Sequence, residues 1–256
     1  MGDHYRVRPP AHPGIMDRMP RKTAFPALLA FIAASASLAS PDAYDEGSVV
    51  VELRGAILTY GSADLADIYG PDYFESSGFG AGVGAGAGLG YALTPAFHLV
   101  AAWEPVLLRR HRVIWEGGAE DRWSLDASSF LGGVRWFVIT SDVANLYLGL
   151  AAGRYALSRA HVEYTYVDGT ANFSGSTFGG VLELGGQKML TERLSLVAGL
   201  GYRLARISRV RVSGTVGGST SPPQDMLNED GSRAAIDLSG LAVFVGLDFS
   251  PGAPGR

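Results

Sequence analysis

The sequence predicts an all-β protein, a closed antiparallel up-and-down transmembrane β-barrel of eight strands with four long extracellular loops and three short periplasmic turns. Three observations support this fold class. Apolar residues alternate with small or polar ones along eight segments, short and long connections alternate between the segments, and an export-type leader precedes them. Only a closed sheet pairs all of its backbone groups in lipid, so alternation combined with export indicates a membrane barrel.

The beginning of the chain has the layout of a secretory signal peptide. Arg21 and Lys22 precede a run of apolar and small residues, 23–39, after which the sequence turns polar. This layout predicts a mature start near 37–44. The run contains Pro26 and falls short of the roughly 20 apolar residues of a membrane-spanning helix. The chain then divides into an N-terminal extension with its signal peptide, a barrel and a short tail: 1–39, 45–250 and 251–256.

The clearest strand is Phe79–Leu93, in which every second residue from Gly80 to Gly90 is glycine and the others are apolar. A nucleotide-binding glycine loop would need a helix after the glycines, and Thr94–Ala96 reads as a turn instead. We therefore expect the apolar face of such strands to meet lipid and the small or polar face to line the lumen. The other seven predicted strands lie within 49–58, 97–104, 130–138, 146–153, 178–187, 194–204 and 240–249.

The connections between these strands alternate in length. The tight ones are Leu93–Ala96, Ile139–Val143 and Leu190–Arg193. The long ones are 61–78, 105–124, 158–174 and 208–232. In bacterial outer-membrane barrels the short turns and both termini are periplasmic and the long loops are extracellular, which predicts the orientation of this chain.

The composition excludes several classes of protein. The chain has 256 residues, no cysteine and a formal net charge of -4. Without cysteine it has no thiol nucleophile, iron–sulfur cluster or cysteine zinc site. A mildly acidic chain also lacks the basic surplus that nucleic-acid binding needs. We therefore expect no nucleic-acid partner, no metal and no cofactor.

The lumen of an eight-stranded barrel is only wide enough for side chains to fill, so no wide pore is expected. Charges inside must pair or meet water, and we predict a salt-bridge network with trapped water in which Arg135 lies among Glu104 and Glu183. One alternative is a narrow path for small solutes or ions along the glycine face; another is that these glycines let a bulky neighbour such as Phe137 or Phe244 pack across the lumen. The predicted lumen-facing residues are Glu52, Arg54, His98, Glu104, Arg135, Glu183, Gln187, Arg203 and Asp248.

Arginines cluster where two strands are predicted to reach the outer rim. Arginine binds phosphate with two parallel hydrogen bonds, so this rim suits the phosphates of lipopolysaccharide. The alternative is an ordinary solvated loop surface that nearby carboxylates partly neutralise. The predicted rim residues are Arg109, Arg110, Arg112, Arg206, Arg209 and Arg211.

A catalytic site is not expected. The predicted mature chain has three histidines: His98, His111 and His161. His98 lies beside a periplasmic turn, and the spacing of Ser158 and His161 puts them on opposite faces of an extended segment, although Glu163 follows. A barrel enzyme that modifies lipid A, or a surface protease, is a minor alternative.

Two segments beside predicted turns, Tyr91–Leu99 and Met189–Leu196, resemble those of small outer-membrane barrels, the group typified by the transmembrane domain of outer-membrane protein A. The resemblance covers 49–249. It implies a monomer in the bacterial outer membrane, in contact with its lipid and with lipopolysaccharide, with a role in envelope integrity or surface contacts. The barrel-assembly machinery usually reads a terminal aromatic residue in this group, whereas here Phe249 is followed by 250–256.

Overall fold

The computed structural model describes residues 44–59, 73–76, 81–107, 111–115, 118–141, 144–165, 168–228 and 231–251. No described segment forms a helix long and apolar enough to span a membrane. The strands of the described residues are β1 Val49–Thr59, β2 Tyr73–Ser76, β3 Ala81–Thr94, β4 Phe97–Leu107, β5 His111–Trp115, β6 Glu120–Ile139, β7 Asn145–Tyr164, β8 Gly169–Ser174, β9 Ser176–Met189, β10 Leu194–Leu204, β11 Arg206–Ile207, β12 Arg211–Val216, β13 Ser219–Asp225, β14 Ile236–Asp237 and β15 Gly240–Phe249. The predicted extension and signal peptide, 1–39, lie outside the described residues.

Eight of these strands form a closed antiparallel barrel, as the sequence predicts. Its order is β1, β3, β4, β6, β7, β9, β10 and β15. The barrel closes where the first and last strands pair, from Val51 opposite Phe249 to Leu58 opposite Ala242. Closure leaves no strand edge in the wall, which is the condition for crossing lipid.

The alternation along each strand separates the two faces of the wall. Outward side chains such as Leu53 and Phe178 are 61% and 83% exposed, whereas the inward Val50 and Phe244 are each 4% exposed. An apolar outer surface of this extent would be unstable in water and suits a lipid environment.

The barrel strands begin and end at the end of the barrel that carries the tight turns. Val49 pairs with Tyr91, close to the turn between β3 and β4, and Leu194 after a tight turn pairs with Phe249. Both ends of the barrel domain therefore lie on the side of the tight turns.

The opposite end of the barrel differs from the expectation of long loops. β6 and β7 are each 20 residues long and extend well beyond the wall. With the strands that pair beside them they form an open sheet in the order β2, β5, β6, β7, β8, β12 and β13. We call this sheet the crown; it comprises 120–128, 157–164 and the strands β2, β5, β8, β12 and β13. Much of the predicted loops 105–124, 158–174 and 208–232 is therefore strand.

A buried apolar cluster explains why these segments pair. Trp123 stacks on Phe173 with ring centroids 5.0 Å apart, and Leu125 and Val162 are fully buried beside them. The same cluster includes Leu58 inside the barrel wall. Apolar packing is thus continuous from the crown into the upper lumen.

Candidate functional site

Three arginines and three glutamates meet in the middle of the lumen. Arg54 on β1 donates from Nη1 to Glu183 Oε1 at 2.7 Å and from Nη2 to Glu104. Its Nη1 also lies 3.6 Å from Glu52 Oε1. Arg54 is therefore the centre of the network, within reach of carboxylates from three other positions in the wall.

Arg135 and Arg203 complete this network from opposite sides. Arg135 donates to Glu52, and its Nη2 lies 3.8 Å from Glu183 Oε2. Arg203 Nη2 lies 3.7 Å from Glu104 Oε2. The expectation that Arg135 lies among Glu104 and Glu183 is therefore wrong for Glu104, because Glu104 faces Arg54 and Arg203 across the lumen.

Each guanidinium of the network also covers an aromatic ring. Arg135 Cζ lies 4.8 Å from the ring centroid of Tyr147, and Arg203 Cζ lies 5.6 Å from that of Tyr155. Arg54 Cζ lies 5.2 Å from the Phe244 ring. These cation–π contacts stabilise the buried charges and fill the space between the ionic groups and the wall.

A second polar layer closes the lumen at the tight-turn end. Gln187 Nε2 lies 2.9 Å from Tyr44 Oη, 2.9 Å from Ser195 Oγ and 3.0 Å from Asp248 Oδ2. Tyr44 and Ser195 hydroxyls are 2.7 Å apart. Burial, and then the charge of Asp248, raise the pKa of Tyr44 above its ordinary range, so the phenol stays neutral.

His98 belongs to this same layer. Its ring lies 4.6 Å from that of Phe137 and 5.7 Å from that of Tyr44, measured between centroids. Sequence reasoning did not include Tyr44, which precedes the first strand. The sequence marks Tyr44 only as an aromatic residue shortly before the first barrel strand.

A small cavity lies beside the ionic network in the lumen. A cavity of about 30 Å³ is bounded by Arg54, Gly84, Glu104 and Phe244, among other residues. A water needs roughly 10–15 Å³ of such volume, so the cavity suits about two waters.

Side chains pack closely against two glycines on the lumen face of β3. A Cβ at Gly84 would lie 3.0 Å from Leu58 Cδ1, and one at Gly86 would lie 3.3 Å from Glu104 Cγ. Neighbouring side chains already occupy the volume that the glycines leave. Phe137 instead packs on Tyr147, with centroids 5.5 Å apart.

Two of the six predicted rim arginines, Arg209 and Arg211, line one surface groove. Arg109 and Arg110 lie outside the described residues, and Arg112 lies on β5 opposite Arg122. Arg206 pairs across β11 and β14 with Asp237. Arg211 lies at the start of β12 in the crown and Arg209 in the connection before it, and both are exposed.

Arg154, which sequence reasoning missed, lies beside these two. It continues the outward register of β7 after Leu150 and Ala152, and its Nη2 donates to Ser176 Oγ at 3.2 Å. Together with Arg209 and Arg211 it lines a surface groove of about 390 Å³. In the sequence, Arg154 could have been recognised as a charged residue at the end of the otherwise apolar outward face of this strand.

Comparison with solved structures finds the same architecture at low identity. OprG from Pseudomonas aeruginosa is 12% identical, with 82% of this chain and 98% of that chain covered and a TM-score of 0.49. Neisserial surface protein A is 13% identical, with 78% and 96% covered and a TM-score of 0.46. Ail of Yersinia pestis is 12% identical, with 80% and 99% covered and a TM-score of 0.41.

The chain resembles the small eight-stranded outer-membrane barrels. No protein-family model matches it, and neither does any curated protein sequence. At these identities the likeness concerns the barrel fold alone and says nothing of ligand or activity.

The height of the apolar belt agrees with an outer-membrane barrel. On β9 the outward register runs from Lys188 through Leu184, Leu182 and Phe178 to Ser176. Lys188 and Ser176 are twelve residues apart along the strand. Tilted strands rise about 2.5 Å per residue along the barrel axis, so these two polar ends of the belt are roughly 30 Å apart. Arg154 and Ser176 therefore lie at the boundary of the belt on the crown side.

The other chemistry-bearing residues do not assemble into a further site in the part of the chain that the structure describes. His161 Nε2 lies 3.7 Å from Glu163 Oε1, and both side chains are more than a third exposed. Among the described residues, no group of three or more His, Cys, Asp and Glu side chains is placed to hold a metal ion.

Proposed function

We propose that this protein is an outer-membrane barrel with a structural and surface-interaction role and a lumen that does not conduct. The observation that supports this proposal is that side chains fill the lumen in three layers. The apolar cluster of the crown, the ionic network around Arg54 and the hydrogen-bonded layer around Gln187 follow one another along the axis. A cavity of about 30 Å³ between them suits trapped water and is far too small for a solute path.

The proposal assigns the crown to the cell surface and the tight turns and both termini to the periplasm. It includes export by the predicted signal peptide, insertion by the barrel-assembly machinery, a monomeric state, and contacts of the outer surface with outer-membrane lipid and lipopolysaccharide. The crown supports a role in surface contacts because its exposed face is polar while its apolar residues are buried. The proposal includes no catalytic role and no cofactor.

Conductance through planar bilayers tests the closed lumen. Purified, refolded protein that migrates as the folded form on unheated gels is expected to give no stable unitary steps. Steady steps in the wild type, abolished by Gly84→Leu at the glycine face, would contradict the proposal and favour a narrow channel. Gly132→Leu is the matched control, since an added Cβ there meets nothing within 4 Å and points away from the lumen.

A further inference from the structure

We infer that the groove at Arg154 and Arg211 binds a phosphate group of an outer-leaflet lipid, the phosphorylated lipid A part of lipopolysaccharide. The inference rests on the proposed outer-membrane location and names the ligand of one surface. It concerns one defined groove on the outer surface, which includes two of the rim arginines predicted from the sequence.

The side chains that line the groove come from four strands, β7, β8, β9 and β12, and from Arg209 in the connection before β12. Arg154 lies on β7, and its acceptor Ser176 opens β9. Arg211 opens β12, where it lies opposite Ser174 at the end of β8. A guanidinium has five N–H groups, so the bond to Ser176 leaves Arg154 with donors for a ligand. Among the described residues, the Arg211 guanidinium has no side-chain hydrogen bond and no carboxylate at ion-pair distance, although its charge acts on Asp225 from farther away.

The groove carries a surplus of positive charge. Asp225 is the carboxylate beside it, with Arg209 Nε at 2.8 Å and Arg233 Nε at 3.5 Å. The hydrogen bond from Arg209 and the charges of Arg209, Arg233 and Arg211 lower the pKa of Asp225, so it is ionised at neutral pH. Arg209 and Arg233 lie at ion-pair distance from this carboxylate, whereas among the described residues no carboxylate lies that close to Arg154 or Arg211, so both are available for an anion.

The depth of the groove matches the position of lipid phosphates. Arg154 lies in one cross-strand row with Phe130 and Phe178, which are 65% and 83% exposed. The next outward positions toward the crown are polar, Ser128 on β6 and Ser176 on β9. Aromatic rows of this kind mark the membrane interface, where headgroups lie.

The chemistry of an arginine at this depth favours phosphate. A charged side chain on the lipid face is costly at the bilayer midplane and nearly free at the interface. Arginine can extend its apolar stem over the belt while the guanidinium reaches the headgroups. Its planar fork binds two phosphate oxygens at once, which an ammonium cannot do.

The test measures lipid A binding by the purified full chain in detergent, using bisphosphorylated lipid A and the same lipid with both phosphates removed. Arg154→Ala and Arg211→Ala are each expected to weaken binding of the phosphorylated lipid about tenfold or more, as loss of a charge-assisted hydrogen bond does. Arg154→Lys should fall between the wild type and Arg154→Ala, because it keeps the charge and loses the fork.

Arg122→Ala is the matched control. Arg122 is an exposed crown arginine paired with Glu120 at 2.8 Å, away from the groove, and its loss should leave binding unchanged. Equal binding by the wild type and Arg154→Ala, or equal binding of the dephosphorylated lipid, would overturn the inference. Displacement by millimolar inorganic phosphate would show a plain anion site and would also contradict it. None of these outcomes depends on conductance, so the closed lumen is tested separately.

Discussion

Arg135 shows what a charged side chain needs in order to be buried in this barrel. It is 8% exposed, donates to Glu52 and covers the ring of Tyr147. Removing an ion from water costs several kcal/mol, and the attraction of partners at contact distance offsets that cost only while every partner is present. The network around Arg54 and Arg135 therefore depends on complete pairing.

Arg135→Ala is expected to destabilise the protein by about 3–5 kcal/mol, or less where trapped water screens the orphaned carboxylates. The double variant Arg135→Met with Glu52→Gln should recover much of the loss, because removing a pair is milder than orphaning one charge. Urea unfolding in lipid vesicles measures both. A stabilised Arg135→Ala variant, or a double variant no more stable than the single one, would contradict this account of the network.

At the scale of the element, β6 shows where the strand leaves the membrane. In the wall its outward residues are apolar, as at Phe130 and Val134, and beyond Ser128 the apolar residues change to the inward face, as at Trp123 and Leu125. A register shift between Asp126 and Ala127 accompanies the change. The strand keeps its period of two and the same outward side throughout, and what is reversed is the face that carries the apolar residues.

This reversal explains why the sequence predicted the wall and not the crown. Outward apolar residues along eight segments are sufficient to predict a closed membrane sheet. The crown has the pattern of a soluble sheet, with Trp123 and Leu125 on one face and Arg122 and Asp126 on the other. In a sequence, such short and charged stretches between membrane strands look like loops. They are recognised as strands only from their pairing, such as that between β7 and β8.

Leu125→Ala tests whether the crown is a separate cooperative unit. Leu125 is fully buried in the apolar cluster, and truncation of a buried leucine costs about 2–5 kcal/mol. We expect protease added outside proteoliposomes to cut the crown of the variant faster, while the barrel stays protected and keeps its heat-dependent gel shift. Leu150→Ala, at an outward position of the belt, should leave crown cleavage unchanged. Unaltered crown cleavage in Leu125→Ala, or loss of the folded barrel with the crown, would contradict this division.

At the scale of the whole molecule, the sequence predicted the strand number and the closure but not how the lumen is closed. The pattern placed Gln187 and Asp248 inside, yet it could not show that both meet Tyr44, a residue 143 positions away from Gln187. The groove at Arg154 was missed for the same reason, because it depends on the register that brings Arg154 beside Ser176 and β12. The hydrophobic pattern and the turns set the register of neighbouring strands, whereas contacts between residues far apart in the chain, such as Tyr44 and Gln187, form only when the barrel closes.

The most direct test of the account is thiol labelling in intact cells with a membrane-impermeant maleimide. The chain has no cysteine, so each single-cysteine variant reports one position. Three exposed positions are suitable for a single cysteine: Ser221 in the crown, Glu192 in a tight turn and Leu150 in the outward belt. We expect Ser221→Cys to label in intact cells, Glu192→Cys to label only after the outer membrane is permeabilised, and Leu150→Cys to stay unlabelled while lipid surrounds it. Labelling of Glu192→Cys with protection of Ser221→Cys, or free labelling of Leu150→Cys in the intact membrane, would contradict the proposed orientation or the lipid-facing belt.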